Sequence, residues 1–386
     1  MPTAPIVIVG AGMAAYGVAR ELRKLDKDTP LTIISGDAGG SYAKPMLSNA
    51  IALGKEAAQL VSHSAEQMAA QLNATVLAQS RVTAIDSSAA TVTSASGTLA
   101  YSKLVLALGA EPIRLPMGGD GADQVLSVNH IADYAELRAR LAAVPHPSAR
   151  VLIIGAGLIG CEFADDLLAG GHHVTLVDPN RLPLAALAAP SLSQGLAQAW
   201  SGRPLSLRLG TTVERVSHRA DALEVTLADG TRITADLVLS AVGLRPSIAL
   251  AQAAGLETRR GIVVDAFGQT SASGVYALGD CAEYATGKGS RVLPYVAPLL
   301  TAARAIAATL AGTPTPIELK NDAVIVKTPS YKLALLPPPP GTPGAWVDEH
   351  DGERTIARYV DEHGVLHGFG LSAHTPALRQ KLQSEM

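Results

Sequence analysis

One short pattern occurs twice in this chain and restricts what it can fold into: an apolar run, a glycine-rich turn and a helix. The fuller copy spans residues 150–178. Residues 151–154, Val-Leu-Ile-Ile, suit a strand buried on both faces. Gly155, Gly157 and Gly160 follow in the G-x-G-x-x-G spacing. The first glycine makes the tight turn, the second lets a pyrophosphate approach the backbone, and the third lets the helix pack on the strand. Ile159, Phe163 and Leu167 recur every four residues, so one helix face is expected to carry them. Gly170-Gly171 stops that helix. Residues 174–177 read as the next strand, which ends in Asp178. A carboxylate there can accept hydrogen bonds from a ribose 2′-hydroxyl and repels a 2′-phosphate. Strand, turn, helix, strand and terminal acid together favour a bound dinucleotide over a bare helix packed on a sheet.

The second copy lies at the start of the chain. Residues 6–9 are apolar, and Gly10, Gly12 and Ala15 repeat the turn. Alanine at the third position still permits close helix packing. The helix is expected to run to about Leu25, with Ala15, Val18, Leu22 and Leu25 on one face. After a strand at 31–34, the position matching Asp178 falls near Ser35, which is not acidic; Asp37 is the candidate substitute. Two turns imply two nucleotides, or one duplicated unit with an idle copy. Elements further along favour the first.

The bulk properties narrow the class. The chain has 386 residues, enough for two or three domains, and 48% are apolar, enough for sizeable cores. A net charge of −3 does not suggest a nucleic-acid binder. Cys161 and Cys281 lie far apart, which argues against a disulfide scaffold or a Cys-x-x-Cys site; small buried hydrophobes are expected. The ten histidines form no metal-spaced cluster, so no metal site is expected. No basic region precedes the first apolar run, and no apolar run reaches about 18 residues. A soluble, cytoplasmic protein without a membrane span is the expectation.

Between the turns, residues 75–78, 82–85, 90–93 and 98–101 read as an antiparallel meander. The loop 41–48 contains one charge, Lys44. Residues 104–109 form an apolar strand ending at Gly109, and Pro112 and Pro116 mark a linker. Helices are expected at 132–143 and 190–200. Residues 205–209, 212–217 and 222–234 read as a second antiparallel set with a turn at Asp229-Gly230. The strand 237–243 mirrors 104–109, so the arrangement is an internal duplication. A further strand ends at Gly279-Asp280, which places Asp280 at the carboxyl end of a sheet, where ligands of such folds bind. Pro294 is expected to open the next helix, whose unpaired amides can stabilise negative charge. Residues 337–344 are a stiff, proline-rich connection within a small α+β module that ends in a helix at 376–383.

Together, the two turns, the Leu-Ala-Leu-Gly109 and Ala-Val-Gly243 strand ends and Ala-Leu-Gly-Asp280 resemble the two-dinucleotide-binding flavoprotein reductases, over residues 4–312. Within that superfamily, Tyr-x-Lys-Pro-x-Leu-Ser from Tyr42, Gly-Leu-Ile-Gly-Cys-Glu from Gly157, Tyr-Ala-Leu-Gly-Asp-Cys-Ala-Glu from Tyr276 and the short C-terminal module are similar to bacterial NADH:rubredoxin reductases. The resemblance implies an α/β fold of two Rossmann-like dinucleotide-binding domains, each with a small antiparallel β-meander, plus a C-terminal α+β domain. The implied boundaries are 1–113 with 244–316 for FAD, 114–243 for NAD and 317–386 for the last domain.

The same resemblance implies FAD on the first turn, with its pyrophosphate at Gly10 to Gly12. Asp280 would bind ribityl or pyrophosphate oxygens, Lys44 would sit beside the isoalloxazine, and Val82 would lie near the adenine. The helix after Pro294 would face the pyrimidine end of the flavin. NADH would lie on Gly157, Leu158 and Ile159, with Asp178 on its adenosine ribose and Glu162 at the nicotinamide. Ala11, Met13, Ala14, Ser35, Pro45, Ala107, Gly109, Arg114, Gly243, Gly279 and Val296 complete the implied cofactor contacts. Lys44 and Glu162 are the catalytic candidates. Related ferredoxin-type reductases carry a lysine after Leu-Ser where this chain has Asn49, and a Lys44–Glu162 pair is the candidate replacement.

The implied activity moves a hydride from NADH to the flavin, then single electrons to the iron of a rubredoxin that serves a hydroxylase or an oxygen- or NO-reducing enzyme. The protein supplies positioning within about 3–3.5 Å and electrostatic tuning. The cysteines that disulfide- and peroxide-reducing relatives need are absent; the loop that would hold one reads Lys44-Pro45. A ferredoxin or flavorubredoxin acceptor stays open, as does a slow NADH-sensing flavoprotein acting through a partner. An acidic rubredoxin calls for a basic patch, for which Lys44, Arg291, Lys320, Lys327 and Lys332 are candidates. The short C-terminal module points to a monomer.

Overall fold

Apolar runs too short for helices dominate the chain, and they form parallel sheets because helices cover both faces. The computed structural model describes residues 4–286 and 289–386. The chain divides into two units. The first comprises Met1–Lys44, Ala58–Glu111 and Leu244–Lys320; the second comprises Pro45–Ala57, Pro112–Gly243 and Asn321–Met386.

The first unit is built on a five-stranded parallel sheet in the order Val275–Ala277, Lys103–Leu106, Ile6–Val9, Leu31–Ile34, Thr75–Leu77. Ile6–Val9, Leu31–Ile34 and Val275–Ala277 are buried along their whole length. Helix Met13–Leu25 packs Ala15, Tyr16, Val18 and Leu22 into the core, but Leu25 is 60% exposed, so the apolar stripe ends one turn earlier than its spacing suggests. Gly17 lets this helix approach helix Val296–Leu310, since a Cβ there would lie 3.3 Å from that of Ala303.

Two expectations need correcting in this unit. Thr75–Leu77 pairs in parallel with Leu31–Ile34 rather than joining the meander, which consists of Val82–Asp86, Thr91–Ser94 and Gly97–Ala100. The C-terminal helix of the unit begins at Val296 after Tyr295 as N-cap, not at Pro294. A different proline, Pro298, occupies its first turn, where a missing N–H leaves no hydrogen bond unmade.

The second unit contains a four-stranded parallel sheet in the order Leu205–Leu209, His173–Asp178, Arg150–Ile154, Leu237–Ser240. Leu205–Leu209 therefore extends this sheet instead of opening the antiparallel set. That set is Val213–Arg219, Ala222–Leu227 and Arg232–Ala235. Asp229-Gly230 turns it as expected, with Gly230 at φ 81°. The C-terminal module is an antiparallel sheet in the order Val324–Val326, Leu333–Leu336, Leu366–Ser372, Arg354–Val360, Ala345–Asp351, closed by helix Pro376–Ser384. Ala334, Ile356, Phe369, Leu371 and Leu382 form its core. This module fits closely against helix Pro190–Ala199: a side chain at Gly195 would collide with Tyr331, and one at Gly370 with Leu192.

Candidate functional site

Parallel strands bring their carboxyl ends to one edge, and the first turn lies on that edge of the first unit. Gly10 donates its amide to the Ile34 carbonyl at 2.8 Å, and Ala107 donates to that of Val9 at 2.9 Å. Only glycine fits at position 10, because its φ is +114° and a Cβ would collide with the Ala107 carbonyl. Gly12 is the opposite case. It is exposed, and no atom lies within 4 Å of where its Cβ would be. Helix Met13–Leu25 starts beside it with no side-chain cap and no acid in its first turn, so its amides face an open space. Unpaired amides at a helix start suit a phosphate.

Gly109, Gly279 and Asp280 follow strands of the same sheet, and Val82 is half-buried on the meander. Gly279 takes φ +75° and packs toward Ala14, while its amide donates to the Tyr284 hydroxyl at 3.0 Å. Burial pushes the Tyr284 phenol up, so it stays a hydroxyl and a fixed partner for that turn. Lys44 forms an ion pair with Asp280 at 3.9 Å. Helix Val296–Leu310 also begins without a side-chain cap or an acid, and Val296 is exposed. Ser35 is buried and donates its hydroxyl to Asp37 at 2.5 Å; Asp37 also accepts the Gly39 amide at 2.8 Å. A Ser35–Asp37 pair thus stands where the second turn has a lone acid.

In the second unit, Gly155 has φ +104°, and a Cβ on Gly160 would collide with the Gly155 carbonyl. Gly157 is exposed with no atom within 4 Å of a Cβ position, and helix Leu158–Ala169 starts there uncapped. Asp178 accepts the Ala156 amide at 2.7 Å on one oxygen, and the amide and side chain of Asn180, both at 2.8 Å, on the other. Phe163 and Leu167 are buried, but Ile159 is 42% exposed. The expected helical stripe therefore lacks its first member, which stands beside the open turn. Gly243 and Arg114 are exposed in the same unit.

Three carboxylates in that helix are buried, and each is met by donors from distant segments. Glu162 accepts from the Ser48 hydroxyl at 2.6 Å, the Lys327 amide at 3.0 Å and the Lys327 ammonium. Asp165 accepts from the Trp200 indole at 2.7 Å, Arg203 at 3.2 Å and the Ser330 amide at 3.1 Å. Asp166 accepts the amides of Ile51 at 2.9 Å and Ala52 at 3.0 Å. Burial raises the Asp166 carboxyl above the usual range, and these amides oppose the shift. The cation on Glu162 is Lys327, from the C-terminal module.

Both turns share the features a dinucleotide needs: a first glycine forced by backbone contacts (Gly10, Gly155), a second glycine facing open space (Gly12, Gly157), and an uncapped helix start beside it; the second turn adds a third forced glycine, Gly160, where the first has Ala15. The description "Pyridine nucleotide-disulphide oxidoreductase" matches residues 4–305. The chain belongs to this family. A second description, "Rubredoxin binding C-terminal domain", matches residues 316–386. The chain is 41% identical over 383 residues to a rubredoxin-NAD(+) reductase of Alcanivorax borkumensis, covering 99% of this chain and 98% of that protein. It is 39% identical over 381 residues to a nitric oxide reductase FlRd-NAD(+) reductase of Aeromonas salmonicida, covering 97% and 96%. The crystal structure of a covalent putidaredoxin reductase–putidaredoxin complex is similar with a TM-score of 0.88 at 26% identity, covering 100% of this chain and 93% of that one.

As a pyridine nucleotide-disulphide oxidoreductase, the protein is an NAD(H)-dependent flavoenzyme that binds FAD. Among the described residues, no helix is long and apolar enough to cross a membrane. Cys161 and Cys281 are buried free thiols, as expected, and they do not form the redox pair of the family's disulfide reductases. The sequence reading missed Ser48, Asp165, Asp166, Tyr284 and Lys327 as parts of these sites. One signal was available: three acids at positions 162, 165 and 166 of an otherwise apolar helix fall on one face.

Proposed function

We propose that the protein passes electrons from NADH to a rubredoxin. The observation that carries this reading is the joining, in one unit, of an open nucleotide turn at Gly157 and a module of the rubredoxin binding type. FAD, when bound, supplies the conversion from a two-electron donor to a one-electron acceptor. In this reading the chain's own residues bind, orient and tune. The amides of Ala11 to Ala14 take the FAD pyrophosphate, while Asp280 and Lys44 fix its ribityl and ring ends. The uncapped start of helix Val296–Leu310 favours negative charge at the ring. Gly157 to Ile159 hold NADH, Asp178 selects it, and Glu162 lies on the nicotinamide side.

The domain division that accompanies this reading is 1–113 with 244–316 for FAD, 114–243 for NADH and 317–386 for the acceptor. A flavorubredoxin is the second acceptor, favoured by the 39% identity to an enzyme named for that partner. A cytoplasmic setting fits the two free thiols. The test is NADH turnover against purified rubredoxin, flavorubredoxin and ferredoxin. Fast turnover with rubredoxin supports the reading; turnover with ferredoxin alone sinks it.

A further inference from the structure

We propose that Lys327, although it lies in the segment matched as rubredoxin binding, is a positioning residue for the NADH half-reaction. The inference rests on the function proposed above and adds a second duty to the C-terminal module.

Glu162 has 1% of its surface exposed. A buried carboxylate keeps its charge and its place only when donors surround it. Of its three donors among the described residues, the amide and the ammonium of Lys327 are two. The third, Ser48, itself accepts from the Lys327 ammonium at 3.0 Å, so Lys327, Ser48 and Glu162 close a ring. Lys327 is held in turn from behind. Asn49 donates its side-chain amide to the Lys327 carbonyl at 2.9 Å. Three residues on, Ser330 is tied to Asp165 through its amide and to Arg203 through its hydroxyl at 2.5 Å. The lysine is therefore not a loose surface charge seeking a partner; it arrives on a fixed backbone.

Glu162 lies five positions after Gly157, on the helix that the open turn begins. Replacing the Lys327 side chain would keep its backbone amide on Glu162 but take the ammonium away from a buried charge, and the carboxylate would have to turn away or draw in another donor. Either change alters the donor side and leaves the sheet of the C-terminal module intact.

Three measurements on the holoprotein test this: the rate of flavin reduction by NADH, NAD+ affinity by calorimetry, and reoxidation of the chemically reduced enzyme by rubredoxin. Lys327→Met should slow flavin reduction about tenfold and weaken NAD+ several-fold, while reoxidation changes less than about twofold. Lys327→Arg should recover most of the loss. Asn49→Ala, which keeps the ammonium but frees the Lys327 carbonyl, should give an intermediate loss. Glu162→Gln combined with Lys327→Met should be little worse than either change alone, as for residues acting as a unit. Wild-type reduction rates and NAD+ affinity in Lys327→Met, or a defect only in reoxidation, would overturn the inference and leave the proposed function standing. If Lys327→Met does not fold, a fully wild-type Asn49→Ala together with an inactive Lys327→Arg overturns it. A wild-type flavin that NADH does not reduce removes both.

Discussion

The Asp178 carboxylate accepts the Ala156 amide at 2.7 Å, so the acid ending one strand braces the middle of the glycine turn that leads into the helix Leu158–Ala169. Its other oxygen is held by Asn180. An ionised carboxylate has about four acceptor positions, so a ribose hydroxyl can still be received.

Asp178→Ala should therefore do two things. It should raise the KM for NADH about tenfold, through the lost ribose contact and the loosened turn, and it should narrow the preference over NADPH. Steady-state kcat/KM for both nucleotides checks this. Equal use of NADPH by the wild type contradicts the assignment. Arg181, exposed three residues on, is the residue that would then hold the phosphate.

The glycines separate structure from binding. A side chain at Gly160 collides with the Gly155 carbonyl, whereas one at Gly157 meets no atom within 4 Å. Gly160→Ala should lower the melting temperature by several degrees. Gly157→Ala should melt like the wild type and yet bind NADH about tenfold more weakly. Gly12→Ala, by the same logic, should fold with reduced flavin content. An equal loss of stability in Gly157→Ala and Gly160→Ala contradicts this division.

Both thiols should be inert in the native protein. Burial pushes the Cys281 thiol up to about 11 and Cys161 higher still, so neither forms a thiolate near neutral pH. A thiol reagent at pH 8 should label neither until the protein is unfolded, and flavin reduction by NADH should survive the treatment. Rapid labelling of the native protein with loss of activity would point to a thiol-based reaction instead.

What was legible in the sequence follows from what local pattern encodes. Residues 6–9 and 151–154 announce themselves because a strand buried on both faces is a continuous apolar run. The turns announce themselves because Gly10 and Gly155 have no substitute at their φ values. Strand partners were less visible. Thr75–Leu77 and Leu205–Leu209 resemble the meander strands beside them, and a short strand does not show whether its neighbour runs parallel. The Lys327–Glu162 pair spans 165 positions, so no periodicity connects the two residues. Lys327 is among the candidates for the basic patch that an acidic rubredoxin calls for, and its partly buried pair with Glu162 removes it from that patch.

A smaller basic cluster remains on the C-terminal module. His374 lies 3.4 Å from Arg379, and the Ala373 amide meets the Lys332 carbonyl at 3.1 Å. Burial first, then Arg379 and Lys332, push the His374 imidazole down, so it stays neutral near pH 7 and the charge is carried by the other two. Lys332→Glu with Arg379→Glu should slow rubredoxin reduction and flatten its salt dependence, with flavin reduction by NADH unchanged. The wild-type rate should fall as screening shortens from about 30 Å at 0.01 M to about 10 Å at 0.1 M salt. A wild-type rate indifferent to salt contradicts steering.

Anaerobic double-mixing stopped flow follows the whole electron path in one experiment. The purified holoprotein is mixed with NADH, then with oxidised rubredoxin, while flavin and rubredoxin absorbance are recorded together. The account predicts a yellow protein whose flavin bleaches within a second of meeting NADH, then regains its colour as about two rubredoxins lose theirs. Flavin that bleaches over minutes, or that stays reduced beside oxidised rubredoxin, would contradict it.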